Sequence, residues 1–146
     1  MSLSYQTLDT IADAYNPALL VASLVLVSYR VYQSPQHLRE ALRQFGFIFL
    51  VLIWVYGSMW LDNTFHFWPK FGLDYSTHTA FALSLSTLLL QVKGVYRWVN
   101  VGLFCAYLAL MRYQNYHTVA DMLTTALWTI LGVVLALRIC SLKLKI

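Results

Sequence analysis

Charge is what this chain has least of. Only 11% of its 146 residues are Asp, Glu, Lys or Arg, where a soluble domain usually carries about 25%. At 60% hydrophobic residues, a chain of this length has more apolar surface than its own core can hide, and lipid must cover the excess. There are two cysteines, Cys105 and Cys140. Both are expected inside spans as free packing thiols, which excludes a disulfide scaffold and leaves the redox compartment open. The segment before Tyr15 has no Lys or Arg, so it lacks the basic start of a cleaved signal peptide. The basic residues behind the net charge of +4 are scattered among hydrophobic stretches. That argues against nucleic acid as a partner and for topology signals instead.

What is present is hydrophobic runs at membrane length. A crossing helix needs about 20 mostly apolar residues. The expected fold is all-α, a polytopic membrane helix bundle of about five transmembrane helices forming a single domain over residues 1–146. Leu3, Leu8, Ile11, Ala12 and Tyr15 share a face, so residues 1–15 read either as a short interfacial helix or as a frayed end. Asn16-Pro17 then reads as N-cap and first helical position. Spans are expected at 18–32, 45–61, 76–92, 98–111 and 117–137. Ser34-Pro35 marks a turn, residues 36–44 an amphipathic basic helix, and 62–75 a polar aromatic loop. Trp and Tyr gather near span ends, as an aromatic belt requires.

Alternating connections place Arg30, Arg39, Arg43, Lys93, Arg97, Arg138, Lys143 and Lys145 on one side, eight of the ten basic residues. The other side holds Lys70 and Arg112. The positive-inside rule then puts the N-terminus outside and the C-terminus in the cytoplasm.

Ionisable groups near a span are costly and ask for a reason. His78 and His117 open the third and fifth expected spans and so reach the same depth on the outer side. Asp121 follows His117 at helical spacing, where a carboxylate fixes the imidazole tautomer and stabilises positive charge. This asymmetry suggests His117 as oriented nucleophile or base and His78 as proton donor. Arg112 and Lys70 are the basic residues able to meet an anion there. The helix start at Ser76-Thr77 offers backbone N–H groups to a phosphate. Phosphoryl transfer without metal or cofactor fits this set. A structural reading stands beside it, because a His-x3-Asp pair often occurs by chance. His66, near Asp62, is the weaker candidate for a metal ligand with the other two histidines. His37 reads as surface.

The stretch Ser76-Thr77-His78-Thr79 and His117-Thr118-Val119-Ala120-Asp121 resembles the two histidine motifs of the type 2 phosphatidic acid phosphatase superfamily. The second segment is also similar to the H-Y-T-x-D motif of its sphingomyelin synthase branch. The likeness covers residues 62–137. It implies a nucleophile at His117, an orienting carboxylate at Asp121 and a leaving-group acid at His78. The family's K-x6-R-P motif is absent, Tyr75 and Thr77 replace the proline and glycine of P-S-G-H, and Arg112 stands one residue closer to His117 than the family spacing. The implied function is a membrane lipid phosphatase acting at the extracytoplasmic face on a lipid phosphate or diphosphate. Headgroup transfer to an alcohol is the alternative, and a non-catalytic scaffold or transporter subunit the second. Five spans also leave room for a homo-oligomer that completes the lateral wall.

Overall fold

A computed structural model describes residues 5–92 and 94–142. Leu3 of the expected interfacial face, and Lys93, Lys143 and Lys145 of the charge count, lie outside the described residues. The described residues form five α-helices: α1 (Tyr5–Gln33), α2 (Leu38–Phe65), α3 (Thr77–Leu89), α4 (Val95–Tyr113) and α5 (Val119–Ile139). No strand occurs among the described residues. Among the described residues three segments are long and apolar enough to cross a membrane, Gln6–Gln33, Pro35–Phe65 and Val119–Ile139, which marks a membrane protein.

The N-terminal expectation is corrected. Residues 5–16 are no separate interfacial helix, and Asn16-Pro17 is no helix start, because α1 runs through Pro17. A proline there removes one hydrogen bond to the preceding turn, and regular turns on both sides carry the helix past it. Asn16 does not cap its own helix; its Nδ2 donates to the carbonyl of His78 in α3, 3.4 Å away. Ala12 is fully buried, so this first part of α1 packs on the bundle.

The amphipathic segment and the second expected span fuse into α2, which starts after a 3₁₀ turn at Pro35–His37. The helix ends at Phe65, where His66 takes a left-handed conformation with φ 53° and closes onto the carbonyl of Asp62. At 28 residues α2 is about 42 Å long, enough to cross a bilayer and project beyond it.

The third expected span is also different in kind. α3 has 13 residues, about 20 Å, too short to cross hydrocarbon about 30 Å thick. It packs against α1, α2, α4 and α5, and Thr79, Ala80, Phe81, Ala82, Leu85 and Leu88 are buried. Lipid does not need to solvate a helix enclosed by four others, which is why α3 tolerates Ser84, Ser86 and Thr87 in its interior. Ser84 and Thr87 return their hydroxyls to carbonyls one turn back, each at 2.8 Å.

α4 is the most peripheral helix: only Asn100, Tyr107 and Met111 are buried. Cys105 lies on its exposed face, so it has no packing role within the chain, and Cys140 caps the end of α5 rather than lying inside it. α2 and α5 meet through aromatic rings. Trp54 and Trp128 have centroids 5.1 Å apart, and Trp128 Nε1 donates to Ser58 Oγ at 2.8 Å. Gly132 makes this approach possible, since an added Cβ would come within 3.0 Å of the Trp54 ring.

Candidate functional site

The loop between α2 and α3 is fastened to the first turns of α5. Asp62 Oδ1 accepts from the Trp68 amide at 2.8 Å, and the Trp68 indole donates to Thr124 Oγ1 at 3.2 Å. Further along, the Asp74 amide donates to Asp121 Oδ1 at 2.8 Å and the Ser76 amide to Thr125 Oγ1 at 3.0 Å. Tyr75 is buried and donates its hydroxyl to the Val55 carbonyl at 3.2 Å. Burial pushes its pKa up to about 12, because the phenolate would have to form without water.

These bonds set the position of both histidines. His78 lies in the first turn of α3, half-buried. Its ring faces Tyr116 edge-on, with centroids 6.4 Å apart, and it lies within electrostatic reach of His117 and Asp13. The sequence expectation that the two histidines converge at one end of the bundle thus describes the structure. The pairing of His117 does not follow expectation. His117 precedes the α5 N-cap, Thr118, and so is outside the helix. Helical spacing cannot place it over Asp121.

Asp121 instead completes a capping box. Its Oδ2 accepts from the Thr118 amide at 2.8 Å and from the Thr118 hydroxyl at 2.7 Å, while its own amide returns to Thr118 Oγ1 at 3.2 Å. With Oδ1 taken by the Asp74 amide, both carboxylate oxygens are occupied. The acid that meets His117 is Asp74, whose Oδ2 lies 3.2 Å from Nδ1. The direction is off the line of a good hydrogen bond and Nδ1 has no other partner, so Asp74 stands beside the imidazole as a close contact rather than a linear bond. Asp121 lies within electrostatic reach of His117 and also pins the backbone that presents the second carboxylate, Asp74.

The expected phosphate ligands separate. Ser76 is fully buried as the α3 N-cap, with Oγ accepting from the Thr79 amide at 3.3 Å and donating to Thr79 Oγ1 at 2.8 Å. Its groups are committed within the protein. Thr77 begins α3 half-buried. Arg112 turns to Asn115 Oδ1 at 2.8 Å, stabilising a left-handed residue with φ 56° in the α4–α5 connection. Lys70 sits in a 3₁₀ turn, Pro69–Phe71, with Nζ 5.5 Å from the centre of the Phe67 ring. Phe67 and Phe71 on either side of it line an apolar groove of about 850 Å³ between α2, the loop and α5, with Leu61, Phe65, Trp68 and Leu127 among its walls. His66 binds the backbone carbonyl of Asp62, not a shared metal position, with Nδ1 3.3 Å away. No cluster of three metal-ligating side chains occurs among the described residues.

Sequence reasoning missed the contribution of α1. Asp9 accepts a hydrogen bond from the Tyr116 hydroxyl, Asp13 acts electrostatically on His78, and Asn16 holds the His78 carbonyl. The available signal was two acids one helical turn apart in an otherwise apolar segment, where each charge requires a partner. Asp74 carried no signal, because its pairing depends on a loop closing over α5. Comparison with protein families, with curated proteins and with solved structures finds no match to this chain.

Proposed function

We propose that the protein is a metal-independent membrane enzyme that hydrolyses a lipid phosphate or diphosphate through a histidine nucleophile. The observation that carries this reading is the meeting of His78 and His117 at one end of a membrane bundle, with Asp74 Oδ2 3.2 Å from His117 Nδ1. A carboxylate this close to Nδ1 favours the proton on that nitrogen electrostatically, and a modest ring rotation on substrate binding turns the contact into a bond that leaves Nε2 as the nucleophile. Nε2 attacks phosphorus, an N–P bond forms and the P–O bond to the lipid breaks. The leaving oxygen takes a proton from His78. Water, deprotonated by the same His78, then attacks phosphorus, and the N–P bond breaks to release phosphate. Asp74 balances the imidazolium charge of the intermediate throughout.

In this reading the bundle crosses the membrane several times, with α3 carried inside it. The histidine end faces away from the cytoplasm, because Arg30, Arg39, Arg43, Arg97 and Arg138 belong to the connections and helix ends at the opposite side. Thr77 and the first amides of α3 receive the phosphate, and Arg112 joins them by releasing Asn115. Lys70 meets a headgroup only at the groove beside α2.

The test is chemical trapping. Brief incubation with a radiolabelled lipid phosphate, quenched in base, should leave base-stable, acid-labile label on the wild type and none on His117→Ala. Label retained by His117→Ala would remove His117 as the nucleophile. Transfer to an alcohol acceptor uses the same intermediate and is read from the second product. A non-catalytic scaffold gives no label in any protein that elutes as a folded species.

A further inference from the structure

The apolar groove between α2, the loop and α5 takes no part in the histidine chemistry, yet one stretch of loop borders both. Leu73 lines the groove, and the next residue, Asp74, meets His117. At about 850 Å³ the groove has the size of a ligand site. Its wall follows α2 from Ser58 to Phe65 and α5 from Thr124 to Leu131, about two turns of each helix, which makes a slot roughly 10 Å long.

The walls are braced and offer nothing to a polar ligand. Trp68 packs edge-on against Tyr75 and Trp128, with ring centroids 4.9 and 6.2 Å away. Its indole donates to Thr124 Oγ1, the Thr124 hydroxyl donates on to the Ala120 carbonyl at 2.9 Å, and the Trp128 indole donates to Ser58 Oγ. These polar groups are committed within the protein, and the rest of the lining is Leu and Phe. An extended peptide would bring N–H and C=O groups that such a wall cannot bond. A hydrocarbon chain brings none.

The edge of the groove carries one cation. Lys70 is exposed in the turn between Trp68 and Phe71, and its Nζ lies against Phe67, itself a wall residue. It forms no ion pair among the described residues. The nearby acids are engaged elsewhere: Asp62 is buried and accepts from the Trp68 amide, and Asp74 meets His117. Both helical walls belong to segments long and apolar enough to cross a membrane, so lipid is the medium on which the groove opens. An apolar slot with an unpaired ammonium at its edge complements a hydrocarbon chain that ends in an anionic headgroup.

We propose that this groove binds one acyl chain of an anionic glycerophospholipid taken from the surrounding leaflet, with the lipid phosphate at Lys70. The chain runs past Leu127 toward Leu131, and the second chain stays in the bilayer. This site is independent of whether the histidines transfer phosphate.

Native mass spectrometry tests it on the full chain, delipidated in detergent and titrated with dioleoylphosphatidylglycerol or dioleoylphosphatidylcholine. Wild type should retain one phosphatidylglycerol per chain and hold phosphatidylcholine several-fold more weakly. Lys70→Gln should weaken phosphatidylglycerol about fivefold, the worth of one lysine at an anionic headgroup, and leave phosphatidylcholine unchanged. Leu127→Trp, at a position 70% exposed, should fill the slot and abolish retention of both lipids. Leu131→Trp fills the same slot from the next turn and replaces it if the first variant does not fold. Equal affinity for the two lipids would overturn the proposal, as would equal phosphatidylglycerol affinity in wild type and Lys70→Gln. Undiminished retention by a folded Trp variant would also overturn it. So would a dimer that excludes lipid and that Leu127→Trp dissociates, which would give the groove to a second copy of the chain.

Discussion

The two ends of the bundle are built differently. At the histidine end, Asp62 of α2 and Asp121, Thr124 and Thr125 of α5 fasten the α2–α3 loop to both helices, each accepting at least one bond from the loop. At the other end, the described polar contacts run between helix ends, among them Gln44 to Gln91, Arg97 Nε to the Leu90 carbonyl at 3.0 Å, and Arg30 to Glu40 at 3.8 Å. The difference is one of purpose. Bonds from side chain to loop backbone fix where a loop residue points, and here the residue so fixed is Asp74, beside His117. Contacts between helix ends hold helices together and aim nothing.

The largest expected effect follows from removing the hub of the fastened end. Asp121→Ala removes three part-buried hydrogen bonds to a carboxylate at once, from the Asp74 amide and from the Thr118 amide and hydroxyl, and should lower unfolding stability by roughly 4 kcal/mol, since each bond to a charged group contributes about 1.5 kcal/mol. Thermal unfolding in detergent reads this directly. Asp74→Asn is the complementary variant: its side chain is 66% exposed, so stability should change little while phosphate release falls. Equal stability losses in the two variants would erase the distinction between a hub and an aimed residue.

A pH titration sharpens the same comparison. Tyr75 belongs to the fastened loop, and burial raises its folded pKa to about 12 from the usual 10. Its contribution is whole below pH 10, where the phenol is protonated folded or unfolded. It is lost as pH rises toward 12, because the unfolded chain ionises first. Stability should therefore drop by about 2–3 kcal/mol across that window, and Tyr75→Phe should flatten the drop.

Gly132→Ala tests the middle of the bundle, away from either end. Its methyl group would enter the Trp54 ring, so a loss of about 2 kcal/mol is expected, with Trp fluorescence shifting as Trp54 and Trp128 part. The smallest effect should come from the loosely joined end. Replacing both Gln44 and Gln91 by Leu removes the amide pair without orphaning either partner and should alter unfolding stability by no more than about 1 kcal/mol. A cost matching that of Asp121→Ala would show that both ends are equally constrained.

The sequence was informative where short-range physics decides. Low charge and apolar runs announce an all-helical membrane protein, and Ser34-Pro35 announces the turn before α2. The convergence of His78 and His117 was also legible, because spans that alternate in direction bring their starts to the same face. Legibility ended where a local rule met a tertiary competitor. Asn16-Pro17 has the form of a helix start, yet Asn16 is used by α3 and the helix continues. His117 and Asp121 have helical spacing, but Thr118 is the stronger N-cap and takes the carboxylate for itself. α3 reads as a span like the others because hydropathy does not reveal that four helices surround it. Asp74 and the acids of α1 enter the site only through folding.

The most direct test of the account is phosphate release from a panel of lipid phosphates and diphosphates by the purified protein with chelator present, comparing wild type with His117→Ala and Asp74→Asn. The account predicts chelator-resistant release by the wild type, none from His117→Ala and a marked reduction in Asp74→Asn, with all three proteins folded. Undiminished release from folded His117→Ala, or no release by the wild type from any substrate, would contradict it.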